Sequence, residues 1–250
     1  MTDILTVSGL TRQFGGFRAV DDVSFAVRTG SIHAVIGPNG AGKTTLFRVL
    51  TGVISPTAGE VQFKGQTISG RKPHAIARRG LAQAFQITTI FPRLSVLESL
   101  AAAIIVRERR GFDFVTFRHT SKPVRREAMD LLDRLGIADL AGAEARTLSH
   151  GHQRTLEVAL ALATRPELLL LDEPTAGMSP YETERTVSMV QQLAREHDLT
   201  VLFSEHDTDV VFGISDQITV MHRGRVIAEG PPASIRDNPE VGAVYLGTEV

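Results

Sequence analysis

The stretch GPNGAGKTT at residues 37–45 constrains this chain more than any other. It meets the pattern G-x-x-x-x-G-K-[ST] at every fixed position. An apolar run, HAVI at 33–36, precedes it, and a helical pattern, LFRVLTG, follows it and closes at Gly52. Each position has a chemical reason. Glycines let successive backbone N–H groups turn inward around phosphate oxygens, and the helix opening at Lys43 aims its positive end at the same anion. Lys43 supplies charge for the outer phosphates, and the Thr44 hydroxyl is a ligand for Mg²⁺. Gly37, Pro38, Asn39, Gly40, Ala41, Gly42, Lys43, Thr44 and Thr45 are therefore expected to hold a nucleotide, ATP, by its phosphates. A strand running into such a loop and then a helix is α/β architecture.

Around this loop the chain reads in three parts. Residues 3–9, 19–27 and 31–36 read as strands, and 61–63 with 66–68 as a hairpin around Lys64-Gly65. From about Pro73 to Ala145 helical periodicity takes over, in HAIARRGLA, SVLESLAAAIIVRERR and PVRREAMDLLDRLGI. The irregular string RERRGFDFVTFRHTSK between the last two reads as a loop, and the whole region as a helical insertion. Then α/β alternation returns. Residues 153–164 read as a helix, 167–171 as a buried strand, 182–196 as an amphipathic helix and 200–204 as a second buried strand. A final hairpin spans 217–222 and 225–229.

The strand LLLL at 168–171 ends in Asp172-Glu173. Ligands of doubly wound sheets bind at such strand ends. Asp172 is placed to hold Mg²⁺ and Glu173, one residue further out, to polarise an attacking water. Composition removes other chemistry. There is no cysteine, so disulfides, thiolate catalysis and cysteine-ligated metal are excluded. A formal charge of -1 gives no footprint for nucleic acid, and no nucleic-acid partner is expected. No apolar run reaches the ~18 residues that would span a bilayer, and MTDILTVSGL lacks the basic start of a secretory signal. His150 and His152, at i, i+2 with no further ligand candidates nearby, do not read as a metal site.

Taken together, the motifs and their order make the chain resemble the nucleotide-binding subunit of an ATP-binding cassette (ABC) transporter, over nearly its whole length. Beyond the phosphate loop, Gln86 in AFQ resembles the glutamine that links Mg²⁺ and water to the membrane partner. LSHGHQ at 148–153 resembles the signature motif, usually LSGGQ, and 168–173 resembles Walker B with its catalytic glutamate. AGMSP at 176–180 stands where the D-loop belongs. His206 in FSEHD resembles the switch histidine that contacts the γ-phosphate, and Phe14 the aromatic that stacks on adenine, with Phe17 as a substitute.

The resemblance implies a P-loop NTPase core, with a mixed sheet and an N-terminal antiparallel β subdomain, made of residues 1–86 and 150–250. A helical subdomain of residues 87–149 is inserted in it. It implies catalysis by Glu173 and His206, and a metal held by Thr44, Gln86 and Asp172. It also implies a second cassette subunit, identical or not, whose ATP is capped by Ser149 and Gly151 of this one. Further implied partners are transmembrane permease subunits and, indirectly, a periplasmic or extracellular solute-binding protein. The expected location is the cytoplasmic face of the inner or plasma membrane.

Two departures from the family pattern stand out: His150 and His152 within the signature, and a D-loop without its usual Leu-Asp ending. LSHG, DEPTAGMSPYET and the ending Val-Tyr-Leu-Gly resemble importers of branched-chain amino acids, urea and short amides. The alternatives are a soluble cassette ATPase of DNA repair or translation, a regulatory subunit that binds without hydrolysing, and a P-loop kinase or GTPase. Against them stand the absence of zinc cysteines, the presence of Glu173 and His206, and the signature itself.

Overall fold

The computed structural model of the chain describes residues 2–84, 91–108 and 121–246. Gln86 and most of the string expected as a loop lie outside the described residues.

Two long strands open the chain, β1 (Asp3–Phe14) and β2 (Phe17–Arg28). They pair antiparallel, and β4 (Ala58–Phe63) and β5 (Gln66–Thr67) extend them into a sheet of order β2-β1-β4-β5. β1 continues past the expected end at Gly9 because the register shifts there. Gly9 takes a φ of 56°, and its carbonyl lies so close to Gly59 that any Cβ on the latter would sit 2.2 Å from it.

The second sheet is larger. Its order is β10-β9-β3-β8-β7-β6, from β3 (Ile32–Ile36), β6 (Leu81–Ala84), β7 (Leu168–Asp172), β8 (Thr200–Ser204), β9 (Gln217–His222) and β10 (Arg225–Gly230). All neighbours are parallel except β9 with β10. Its apolar runs lack alternation because both faces are covered. Ala34, Ile36, Leu169, Leu171, Val201 and Phe203 enter the core on the helical side. Val35, Leu168, Leu170 and Leu202 enter the core shared with the antiparallel sheet and with α1 (Lys43–Leu50).

Several boundaries differ from the sequence expectation. HAIARRGLA is helical only over α2 (Pro73–Ala77); Gly80 turns the chain at a φ of 101°, and Leu81–Ala84 becomes an edge strand on β7. Pairing with a buried strand overrides helical periodicity that could bury only one face. Helical character in the insertion therefore resumes only with α3 (Val96–Arg107) and α4 (Lys122–Arg134). These two pack on each other and on α5 (His150–Ala163), which also packs on β6. Glu127 of α4 ties them together: its carboxylate accepts Arg107 at 2.6 and 3.0 Å and Arg165 at 3.0 Å, while Arg107 also donates to Ala163 O. α5 begins at His150, not at Gln153, because Ser149 caps it. The long helix α6 (Pro180–His197) follows β7, and α7 (Thr208–Ile214) follows β8. Short helices α8 (Pro232–Arg236) and α9 (Pro239–Val241) and a π-turn (Gly242–Leu246) end the described chain. No helix among the described residues is long and apolar enough to cross a membrane.

Candidate active site

The phosphate loop is built on the C-terminal end of β3 and held from behind. Gly37 is buried, and a Cβ on it would lie 2.1 Å from Met221 O. Gly42 has a φ of 104°, and a Cβ there would lie 2.2 Å from Ala19 O. Only glycine combines that backbone angle with that approach. The β9–β10 turn braces the loop: Gly224 N–H donates to Ala41 O at 2.9 Å, and Gly224 O accepts Asp21 N–H at 2.8 Å. Asp21 in turn accepts from Arg18 and Arg225, and these two guanidinium groups hold its carboxyl below the usual carboxylate range.

Lys43 is buried, and its ammonium donates to Gly37 O at 2.7 Å and Pro38 O at 3.3 Å. Burial pushes its pKa down, against the opposing pull of Glu173 and Asp172. The Thr44 side chain is exposed, and its hydroxyl has no protein partner among the described residues. Asn39 and Gly40 are exposed at the tip of the loop.

Asp172 ends β7 and lies opposite Ser204 of β8 in the parallel register. Burial raises its pKa, while the Ser204 hydroxyl, donating at 2.6 Å to Oδ1, acts the other way. Glu173 sits at a φ of 51°. That left-handed conformation costs a non-glycine residue on the order of 1 kcal/mol. Its N–H donates to both Ser204 O and Ser204 Oγ at 3.1 Å, which offsets the strain. The backward turn sends the Glu173 carboxylate toward the end of β8, where Oε1 lies 2.6 Å from His206 Nε2. A carboxylate can only accept, so Nε2 carries the proton.

His206 is fixed from its own backbone as well. Its N–H donates to Glu205 Oε2 at 2.9 Å, and Glu205 Oε1 accepts both the N–H and the hydroxyl of Thr175. Glu205 is buried. Tyr245 Oη, from the C-terminal turn, reaches Glu205 O at 3.4 Å and His206 O at 3.3 Å.

The structure thus brings together Lys43, Asp172, Glu173 and His206. It keeps the signature apart: no hydrogen bond among the described residues joins Ser149 or Gly151 to the 37–45 loop. Ser149 is exposed and accepts His152 N–H at 3.3 Å as the cap of α5. Gly151 lies close to the Glu182 side chain, so that a Cβ would come within 2.8 Å of Glu182 Oε1 and displace it. Phe14 ends β1, is 44% exposed, and carries the Arg12 guanidinium over its ring at 4.4 Å; Phe17 is more exposed still. The D-loop region runs through Gly177 at a φ of 76° to Ser179, which caps α6 in a reciprocal capping box with Glu182. Ser204, Thr175, Glu205 and Tyr245 were not anticipated. Of these only Ser204 left a signal, as the one polar residue closing an apolar strand beside Asp172.

A family model described as ABC transporter matches residues 20–176. The chain belongs to the ABC transporter family. A second model, Branched-chain amino acid ATP-binding cassette transporter, matches residues 225–250. The chain is 41% identical over 249 residues to the high-affinity branched-chain amino acid transport ATP-binding protein BraF of Pseudomonas aeruginosa, covering 98% of each chain. It is 39% identical, with the same coverage, to LivG of Escherichia coli, which bears the same description. Among solved structures, a nucleotide-free ATP-binding cassette from an ABC transporter superposes with a TM-score of 0.85 at 29% identity, covering 99% of this chain and 100% of that one. The ADP conformation of the cassette MJ1267 gives the same score and coverage at 30% identity. As an ABC ATPase, the chain sets the 37–45 loop, the Asp172-Glu173 pair and His206 at the C-terminal ends of three neighbouring strands, β3, β7 and β8, inside the larger sheet.

Proposed function

We propose that this chain hydrolyses ATP to drive an importer of branched-chain amino acids or related small polar solutes such as urea and short amides. The observation that carries the chemistry is the Glu173–His206 pair, closed at 2.6 Å at the ends of two adjacent strands. Lys43 lies within electrostatic reach of Glu173 and Asp172. The choice of solute rests on end-to-end likeness to BraF and LivG and on the C-terminal match.

In this proposal residues 37–45 hold the phosphates of ATP by backbone N–H groups and by the Lys43 ammonium, and Phe14 stacks on adenine. Glu173 accepts a proton from the attacking water, and His206, protonated at Nε2, holds water and γ-phosphate in line. A Mg²⁺ site fits the residues present. Asp172 is a half-buried carboxylate, and the Thr44 hydroxyl has no protein partner among the described residues; Mg²⁺ is usually held by one or two such groups plus phosphates. Bound there, the ion would neutralise charge on the phosphates. Gln86 is assigned to the same site by resemblance alone.

Ser149 and Gly151 are exposed or half-exposed at the start of α5 and belong, in this reading, to the ATP of a second cassette subunit. The pair of cassettes works on permease subunits at the cytoplasmic face of the membrane, supplied by a solute-binding protein. Closure on ATP and reopening after hydrolysis transmit work only if ATP favours the closed pair.

The test is reconstitution with the permease subunits in proteoliposomes. ATP-dependent leucine uptake is expected from the native chain, together with phosphate release. Glu173→Gln should keep ATP affinity and lower turnover by about 10²–10⁴. Lys43→Ala should lose ATP binding. Undiminished hydrolysis by Glu173→Gln overturns the base assignment, and hydrolysis without uptake of any of the named solutes overturns the import reading.

A further inference from the structure

His206 is held by three groups, one from the neighbouring residue and two from distant parts of the chain. Its ring meets Glu173, its N–H meets the side chain of Glu205, and its carbonyl meets Tyr245. The first two grips come from residues on the strand ends themselves. The third comes from the C-terminal π-turn, 39 positions away in sequence. Tyr245 packs against the core on the helical side of the larger sheet, and Val241, one turn earlier, is fully buried. Asn238 anchors the segment by capping α9 through Glu240 N–H and Val241 N–H. The Tyr245 hydroxyl therefore rests on an ordered support and spans two consecutive carbonyls, those of Glu205 and His206.

The chemistry suits a fixed clamp. A phenol has one proton to donate, shared here between two carbonyls that no backbone N–H among the described residues takes up beyond the end of β8. Burial, with Glu205 and Asp207 nearby, pushes the Tyr245 pKa up to about 12, so it stays a donor at any working pH. Because Glu205 O and His206 O flank the His206 Cα, holding both fixes the peptide planes on either side of it. The direction in which the imidazole leaves the backbone follows from those planes.

We infer that Tyr245 is a positioning residue for ATP hydrolysis: the C-terminal segment sets the rate by holding the His206 backbone so that its ring stays aligned with Glu173. This rests on the hydrolytic role proposed above for His206. It also gives the C-terminal segment, which has its own family match over residues 225–250, a task inside the ATP site.

The experiment uses the full chain and Tyr245→Phe, which deletes one oxygen and keeps the buried ring. Losing a neutral hydrogen bond of this kind should lower kcat about three- to tenfold. KM for ATP should stay within about twofold, because the phosphate loop is untouched. On a His206→Gln background the same substitution should bring no further loss, since its effect passes through the histidine. Wild-type kcat in Tyr245→Phe overturns the inference, and so does an equal loss with and without His206. A change in KM alone overturns it too. The second readout is the His206 ring signal by NMR, assigned by its disappearance in His206→Gln. Tyr245→Phe should shift that signal; an unmoved signal overturns the inference even if the native chain proves to hydrolyse no ATP. In that last case the hydrolytic proposal fails by itself, and the ring signal still decides whether Tyr245 holds His206.

Discussion

His33 offers a sharp test of how the strand beneath the phosphate loop is built. It lies fully buried in β3, four residues before Gly37, with Nε2 2.8 Å from the Thr219 hydroxyl and Nδ1 without a partner among the described residues. Charging that ring would bury a cation next to an unpaired nitrogen, with Arg28 adding repulsion, and its pKa falls from 6.5 to about 4. Since the folded pKa is the lower one, the unfolded chain binds the proton more readily. The stability is then complete above about pH 6.5 and is lost as pH falls toward 4. The whole interval is worth about 3 kcal/mol, of which about 2 kcal/mol is lost already at pH 5. His33→Val removes the titration. It leaves the Thr219 hydroxyl unpaired, at a cost of about 1 kcal/mol that does not depend on pH. Urea unfolding of both proteins at pH 8 and pH 5 measures the difference. The variant is expected to be the less stable at pH 8 and to gain about 2 kcal/mol relative to the native chain by pH 5. A stability difference that stays the same across that interval would refute the argument that His33 is held neutral.

The other expectations concern the loop and the helical insertion. Gly42→Ala forces a Cβ to 2.2 Å from Ala19 O at a φ of 104°, so ATP affinity should fall at least about tenfold and stability by about 1–3 kcal/mol; isothermal titration and thermal unfolding report the two separately. Glu127→Ala takes from Arg107, whose side chain is only 16% exposed, its two-pronged carboxylate partner, leaving it Ala163 O and Glu108, and releases Arg165, so a loss of about 1–3 kcal/mol is expected, or about 3–10 °C in Tm. Because the site lies elsewhere, that variant should keep its affinity for ATP, and a parallel loss of affinity would contradict the placement of this ion cluster.

Much of the site was legible because its chemistry is local in sequence. A glycine pattern with Lys-Thr, a carboxylate pair after LLLL and a histidine after VLFS each announce a strand end. The same locality explains the failures. Residues 81–84 look helical when read with HAIARRG, and only the neighbouring β7 makes them a strand. The helix after the signature begins at His150 because Ser149 caps it, and no periodicity separates that start from one at Gln153. The supports of the site were invisible for a related reason. Gly224 meets Asp21 and Ala41, Glu205 meets Thr175, and Tyr245 meets His206 through backbone groups distant in sequence, and backbone partners leave no mark on residue type.

Sheet order explains why these pieces meet at all. β8 lies between β3, which ends at the phosphate loop, and β7, which ends at Asp172. A residue just beyond β8 is thus flanked by the loop on one side and by the acidic pair on the other, whatever its own side chain. A histidine suits that position because its Nε2–H can donate toward the Glu173 carboxylate. Glu173 reaches it only by turning back at a φ of 51°, and Ser204, the last residue of β8, makes that turn tolerable by accepting the Glu173 N–H twice. One strand end therefore both carries the histidine and holds its partner's backbone. Movement of β8 relative to β7 would disturb the pair from both sides at once.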